Sequence, residues 1–207
     1  MHIELRGIGK KFKNEWIFHH LTCDFDISTP VAIIGKNGSG KTTLLKILSG
    51  LLTPTQGTII YRKNEILLSS ENIYEEITWA APYIEVIEEF DLRAIVHFYA
   101  QLKGLTISIE ELLAFLAFSR NHLQKPLKQF SSGMKQKVKL ALAFYGKGQI
   151  LLLDEPTSNL DKENTQWYKN HVESLMNKKI IIIASNQPEE YEFCKKTINI
   201  HDFKTTF

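Results

Sequence analysis

The hydrophobic positions along this chain change period several times, and each change marks a predicted element. His2-Ile3-Glu4-Leu5 alternate, and Leu21 through Ile27 (LTCDFDI) alternate again. The opening stretch therefore reads as short half-buried strands around a loop from Lys10 to Glu15, an antiparallel entry layer. Val31-Ala32-Ile33-Ile34 is a β-branched apolar run ending in glycine, the pattern of a strand buried on both faces of a parallel sheet. From Thr42 to Leu52 the apolar residues fall at Leu44, Leu45, Ile47, Leu48 and Leu51, which is helical spacing stopped by Gly50 and Pro54. Gln56 to Leu68 returns to strand-like composition, whereas Asp91 to Phe118 carries helical periodicity broken at Lys103-Gly104 and predicts a small helical lobe. Gln149 to Leu153 and Lys179 to Ala184 (KIIIIA) are buried-strand runs separated by a helix around Glu163 to Met176, and a last strand signal lies around Thr197 to Ile200. Alternating strands and helices predict an α/β fold around a central, mainly parallel sheet, with the antiparallel layer at the N-terminal side.

Composition narrows this picture. A chain of 207 residues with 43% hydrophobic content can bury one substantial core, so a single domain over 1–207 is expected, with a core of 1–82 and 131–207 and a helical lobe at about 83–130. A formal net charge of +2 gives no electrostatic footprint for nucleic acid, and none is expected as a partner. Cys23 and Cys194 belong to no CxxC or Cys/His cluster, which points away from zinc and disulfides and towards a reducing, cytoplasmic setting. No apolar run approaches the roughly 20 residues that cross a bilayer, so a membrane role is expected only through a partner. Glu71, Glu75, Glu76, Glu85, Glu88 and Glu89 read as a solvated acidic face.

Candidate chemistry begins at Gly35. GKNGSGKT, Gly35 to Thr42, matches G-x-x-x-x-G-K-[ST] and stands between a predicted strand and a predicted helix, the context a phosphate-binding loop requires. Gly35, Gly38 and Gly40 let backbone amides turn inward on phosphate oxygens, Asn37 tolerates left-handed backbone, and the helix start adds free N–H groups and a positive dipole end. The candidate nucleotide set is Gly35, Lys36, Asn37, Gly38, Ser39, Gly40, Lys41, Thr42 and Thr43. Lys41 is expected at the β- and γ-phosphates, the Thr42 hydroxyl on Mg²⁺ and Thr43 at the α-phosphate.

Leu151-Leu152-Leu153-Asp154-Glu155 is an apolar strand ending in paired acids at the carboxyl edge of the sheet. Asp154 is suited to hold Mg²⁺ through its water shell and Glu155 to act as general base on the attacking water. The string continues as LLLDEPTSNLD, Leu151 to Asp161, which resembles the extended Walker B and D-loop of ATP-binding cassette (ABC) proteins. Phe130 to Gln136 (FSSGMKQ), which alone would read as a loop capping a helix, resembles that family's LSGGQ signature and opens a helix from Lys135 to Phe144. LSGLLTPTQG, Leu48 to Gly57, is also typical of the family, and the resemblance covers nearly the whole chain.

The resemblance implies a P-loop NTPase fold and a head-to-tail dimer, with itself or a second cassette, in which ATP and Mg²⁺ sit between one subunit's phosphate loop and the other's signature. Ser131 and Gly133 are then the trans ligands, and Asp161 lies at the dimer interface. Phe12, with Trp16 as the alternative, sits where the family stacks an aromatic ring on adenine. Two positions depart from the pattern. Asn186 stands where the family has a switch histidine, and it can hydrogen-bond but cannot carry a proton. Tyr83, in Trp79-Ala80-Ala81-Pro82-Tyr83, stands where the family has the Q-loop glutamine; its phenol either keeps part of that role or packs in the lobe hinge. The implied function is the ATP-hydrolysing motor of a transporter, similar to short single-cassette subunits of bacterial exporters. It would sit on the inner face of the cell membrane through integral-membrane permease subunits. The other readings are a regulatory ATP-binding module with weak hydrolysis, and a soluble translation or repair factor. The latter calls for two cassettes or a long insertion, whereas only about ninety positions separate Thr42 from Ser131.

Overall fold

The structure is a computed structural model describing residues 1–69 and 71–204; Ser70 and residues 205–207 of the expected 1–207 unit lie outside the described residues. Two sheets organise it. Strands β1 (His2–Phe12), β2 (Glu15–Asp26), β4 (Gln56–Lys63) and β5 (Ile66–Leu68) form an antiparallel sheet in the order β2-β1-β4-β5. Strands β3 (Val31–Ile34), β6 (Ile77–Ala80), β7 (Ile150–Asp154), β8 (Ile180–Ser185) and β9 (Lys196–Asn199) form a parallel sheet in the order β6-β7-β8-β3-β9.

The expected loop from Lys10 to Glu15 is largely strand. β1 runs on to Phe12, which pairs with Glu15, and the turn is Lys13-Asn14, with Lys13 in the left-handed region (φ 51°). Lys10 and Lys11 look like loop residues in sequence, yet their ammonium groups lie 5.1 Å and 5.8 Å from the Phe12 and Trp16 ring centres, so the polar tips ride on a hairpin's aromatic rings.

The parallel sheet is covered on both faces because β7 and β8 are apolar at every internal position and fully buried. Leu152, Ile180 and Ile182 face helix α1 (Lys41–Leu48) and the antiparallel sheet, where Leu44, Leu45, Ile3, Leu5, Phe18 and Leu21 complete one core. Leu151, Leu153, Ile181 and Ile183 face α5 (Ser132–Tyr145) and α6 (Lys162–Leu175), where Leu140, Phe144, Tyr168 and Val172 complete a second. A third cluster joins α2 (Leu92–Lys103), α3 (Ile109–Leu116) and the one-turn α4 (Arg120–Leu123) to Val138, Ala141 and Leu142 of α5. This is the anticipated helical lobe, and Ser108 starts α3 with a reciprocal capping box to Glu111. Helix α1 ends at Leu48 rather than Leu52: Gly50 turns left-handed (φ 76°), Leu52 N–H closes back on Lys46 O at 3.0 Å, and Leu51 is left in solvent.

Candidate nucleotide site

β3 delivers the chain into the loop Gly35–Gly40, and α1 leaves it at Lys41. Gly40 must be glycine twice over: its φ is 113°, and a Cβ there would stand 2.5 Å from Ile17 Cγ2 of the hairpin. The first turn of α1 carries no acidic residue and no side-chain cap, so its free N–H groups and dipole end remain available to an anion. Lys41 is buried, and its ammonium donates to the carbonyl oxygens of Gly35 (2.9 Å) and Lys36 (3.2 Å), lying back across the loop. The Ser39 hydroxyl is buried with no partner among the described residues, an unusual state for a polar atom and one that phosphate oxygens would relieve.

Asp154 ends β7 directly beside the loop. Its Oδ2 accepts two hydroxyl hydrogen bonds, from Thr42 Oγ1 at 2.6 Å and from Tyr83 Oη at 3.1 Å. Burial pushes the Asp154 carboxyl above the usual carboxylate range, the Thr42 and Tyr83 bonds oppose this, the Glu155 charge adds to it and Lys41 lowers it. Tyr83 follows β6, its ring half-exposed between Lys46, whose ammonium is 5.3 Å from the ring centre, and the edge of Trp79. Burial, then the Asp154 charge, raise its phenol well above the ordinary value. The hydroxyl is thus turned onto the acid instead of being idle in the hinge.

Glu155 holds a left-handed backbone (φ 42°) that a β-strand end does not impose, and its N–H bonds to Ala184 O of β8 at 2.9 Å. Such strain persists only where surroundings fix it, and it concentrates at working sites. Asn186, just past β8, donates from Nδ2 to Asn37 Oδ1 of the loop at 2.9 Å. Ile34, Gly35, Lys36, Asn37, Asn186 and His201 are among the walls of a cavity of about 460 Å³. Phe12 is exposed at the hairpin tip, whereas Trp16 is partly covered, with Gly9 packed under its ring.

A second group lies elsewhere. Ser131 is the N-cap of α5 and accepts from Met134 N–H at 3.2 Å. Gly133 faces Asn159 O so closely that a Cβ would stand 2.6 Å from it. Ser131, Gly133, Lys137, Asn159 and Asp161 line a cavity of about 340 Å³, and Asp161 also caps α6 through Asn164 N–H. This cavity shares no lining residue with the one at Asn186. The structure therefore brings together Lys41, Thr42, Asp154 and Tyr83, joins Asn186 to Asn37, and gathers Ser131, Gly133 and Asp161 at a separate surface.

Sequence reasoning missed Gln136, whose buried amide donates to Pro156 O at 2.8 Å and fastens α5 to the segment after Glu155. A polar residue one turn into an otherwise apolar helix face was the available signal. Asn159 was also missed, because only the fold carries its carbonyl to Gly133.

The ABC transporter family model matches residues 18–158. An uncharacterised ABC transporter ATP-binding protein of Bacillus subtilis, YybJ, is 32% identical over 200 residues, covering 91% of this chain and 87% of that protein. ABC transporter A family member 4 of Dictyostelium discoideum is 31% identical over 209 residues; the match takes in 96% of this chain but spans only 13% of that relative's length. Among solved structures, a putative ABC transporter ATP-binding protein from Pyrococcus furiosus superposes with a TM-score of 0.85 at 27% identity, covering 99% of this chain and 100% of that one. A dimeric ATP-binding cassette in a post-hydrolysis state bound to ADP and Pi has a TM-score of 0.81 over 95% of this chain and 93% of that one; at 20% identity this is a likeness of fold.

Proposed function

This chain belongs to the ABC transporter family, and on that premise we propose that it binds and hydrolyses ATP to drive a cargo across a membrane through integral-membrane partner subunits. The observation that carries the reading is the pair of hydroxyls, Thr42 and Tyr83, converging on one oxygen of a buried Asp154 beside a glycine loop and an uncapped helix start. Thr42, Tyr83 and Asp154 offer hard oxygen donors, the set that suits Mg²⁺. Bound there with ATP, Mg²⁺ would neutralise charge on the β- and γ-phosphates.

The chain's own groups do the rest. The loop amides and Lys41 hold the phosphates, Thr43 reaches the α-phosphate, and Phe12 supplies an exposed ring for adenine. Glu155 orients the water and takes its proton. Asn186 donates a hydrogen bond to the γ-phosphate without carrying charge. Ser131 and Gly133, on a cavity apart from the loop, serve the nucleotide of a second cassette, so the working unit is a head-to-tail dimer. Residues 1–82 and 131–207 form its nucleotide core, and the lobe at about 83–130 transmits closure to the membrane subunits at the inner face of the membrane. Among the described residues no helix is long and apolar enough to cross a membrane itself.

Tyr83 and Asn186 favour one alternative, a regulatory cassette in which ATP-driven closure is the signal and hydrolysis is slow. Phosphate release from Mg-ATP separates the two. In the motor reading Glu155→Gln lowers turnover by roughly 10² to 10⁴-fold while ATP affinity holds. ATP binding without phosphate release from the unaltered chain would support the regulatory reading, and absence of ATP binding would end both.

A further inference from the structure

Outside the site just described, one carboxylate is buried where no step yet employs it. Glu190 is 0% exposed, in the 3-10 turn Pro188–Glu190 that follows Asn186. Its Oε1 accepts from both the N–H (2.8 Å) and the hydroxyl (2.5 Å) of Thr157, and its carbonyl accepts from Tyr168 Oη of α6 at 2.9 Å. Oε2 is buried with no hydrogen-bond partner among the described residues. Burial pushes this carboxyl above the usual range; the neighbouring Ser185 hydroxyl, which closes no hydrogen bond of standard geometry on it, and the Thr157 hydroxyl and N–H pull it back, and the Glu155 charge adds to the rise. An acid held this way, with one oxygen unmet, is an expensive means of filling space, since an apolar side chain avoids the desolvation cost.

What the acid joins explains its presence. Thr157 lies two residues beyond Glu155 and two before Asn159, whose carbonyl sits against Gly133. The segment is a tight double turn, with Ser158 N–H on Glu155 O (3.1 Å) and Leu160 N–H on Thr157 O (2.9 Å). On the other side, Ser185 Oγ accepts from Gln187 N–H at 2.8 Å and sets the path from Asn186 to Glu190. Just past the β7–β8 ladder, Glu155 N–H bonds to Ala184 O, and Glu190 ties the two loops again further on.

We propose that Glu190 is a positioning residue that locks the turn Glu155–Leu160 to the segment Asn186–Glu190, so that the general base, the γ-phosphate contact and the Asn159–Asp161 surface move as one unit. Two ties instead of one over-determine the strained backbone of Glu155. The catalytic part rests on the ATPase reading above; the mechanical part does not.

The test therefore reads both, on the full chain. Glu190→Ala removes the acceptor, while Glu190→Gln keeps an amide oxygen where Oε1 stands and places an NH₂ where Oε2 is unmet. Hydrogen exchange at residues 157–160 and 186–191 is expected to quicken about tenfold or more in Glu190→Ala, as loss of a hydrogen-bonded charge implies, with Ile181–Ile183 unchanged and Glu190→Gln near the unaltered chain. In turnover, Glu190→Ala is expected to lower kcat about tenfold or more with KM for ATP within about threefold, and Glu190→Gln to recover most of it. Thr157→Val, which keeps the N–H bond, falls between. Exchange unchanged in both segments, or quickened equally throughout β8, overturns the lock; Glu190→Gln as slow in turnover as Glu190→Ala overturns the positioning role. If the unaltered chain binds ATP but shows no turnover, the motor reading fails and the exchange result decides the lock by itself.

Discussion

Lys179 immediately precedes β8 at 6% exposure, and its ammonium donates to Gly146 O at the C-terminal end of α5, where the helix dipole favours a cation. Burial still dominates and lowers its pKa from 10.5 to about 8. Below about pH 8 the folded and unfolded chains are both protonated, so the cost of the buried charge is fully present. Between about 8 and 10.5 only the unfolded chain keeps the proton, and folding stability rises with pH. Urea unfolding across that window, compared with Lys179→Met, is expected to show the unaltered chain gaining roughly 3 kcal/mol relative to the variant. A difference that stays flat with pH would mean the ammonium is not desolvated. Nothing in the string GQILLLDEP or KIIIIA signals this, and Glu190 drew no reading from the sequence. Asp154, Glu155 and the glycine loop were legible because their meaning is local: fixed spacing beside a strand. The Tyr83 hydroxyl on Asp154 spans 71 positions, and only the strand order β6-β7 brings the two together.

Helix α5 shows the same division. The helix and its capping loop were legible, although it starts at Ser132 and not at Lys135; its first turn is clamped from outside, by Gln136 to Pro156 O and by Gly133 against Asn159 O. Gly133→Ala puts a Cβ 2.6 Å from that carbonyl, so the Asn159 turn must shift. Expected is a fall in phosphate release of about tenfold or more with ATP binding to the isolated chain little changed, since the glycine loop is untouched. Binding titration beside a turnover assay checks it, and loss of ATP affinity in step with turnover would contradict it. Strand elements were legible where both faces are buried, as in β3, β7 and β8. β6 was not read as a strand, being four residues lodged between acidic, exposed stretches, and the tip of β1 was misread because an exposed hairpin alternates polar residues that look like loop.

At the scale of the whole molecule, the features expected around ATP are divided between two surfaces. One carries the glycine loop, Asp154, Tyr83 and Asn186, the other Ser131, Gly133 and Asp161, and their cavities have no wall in common. On the proposed function, each surface is half of a nucleotide site, and a head-to-tail pair would complete both. The sequence strings supply the candidates for each surface; only the fold, with α5 and α6 on one face of the parallel sheet and α1 on the other, tells that the two sets do not meet within a chain.

The most direct test is the mass of the Glu155→Gln chain in solution with saturating Mg-ATP and again with Mg-ADP, by light scattering. The expected mass is twice the 23.8 kDa of one chain with ATP, returning to 23.8 kDa with ADP. A mass that stays at 23.8 kDa while ATP is bound would contradict the pairing of this chain with itself across the nucleotide.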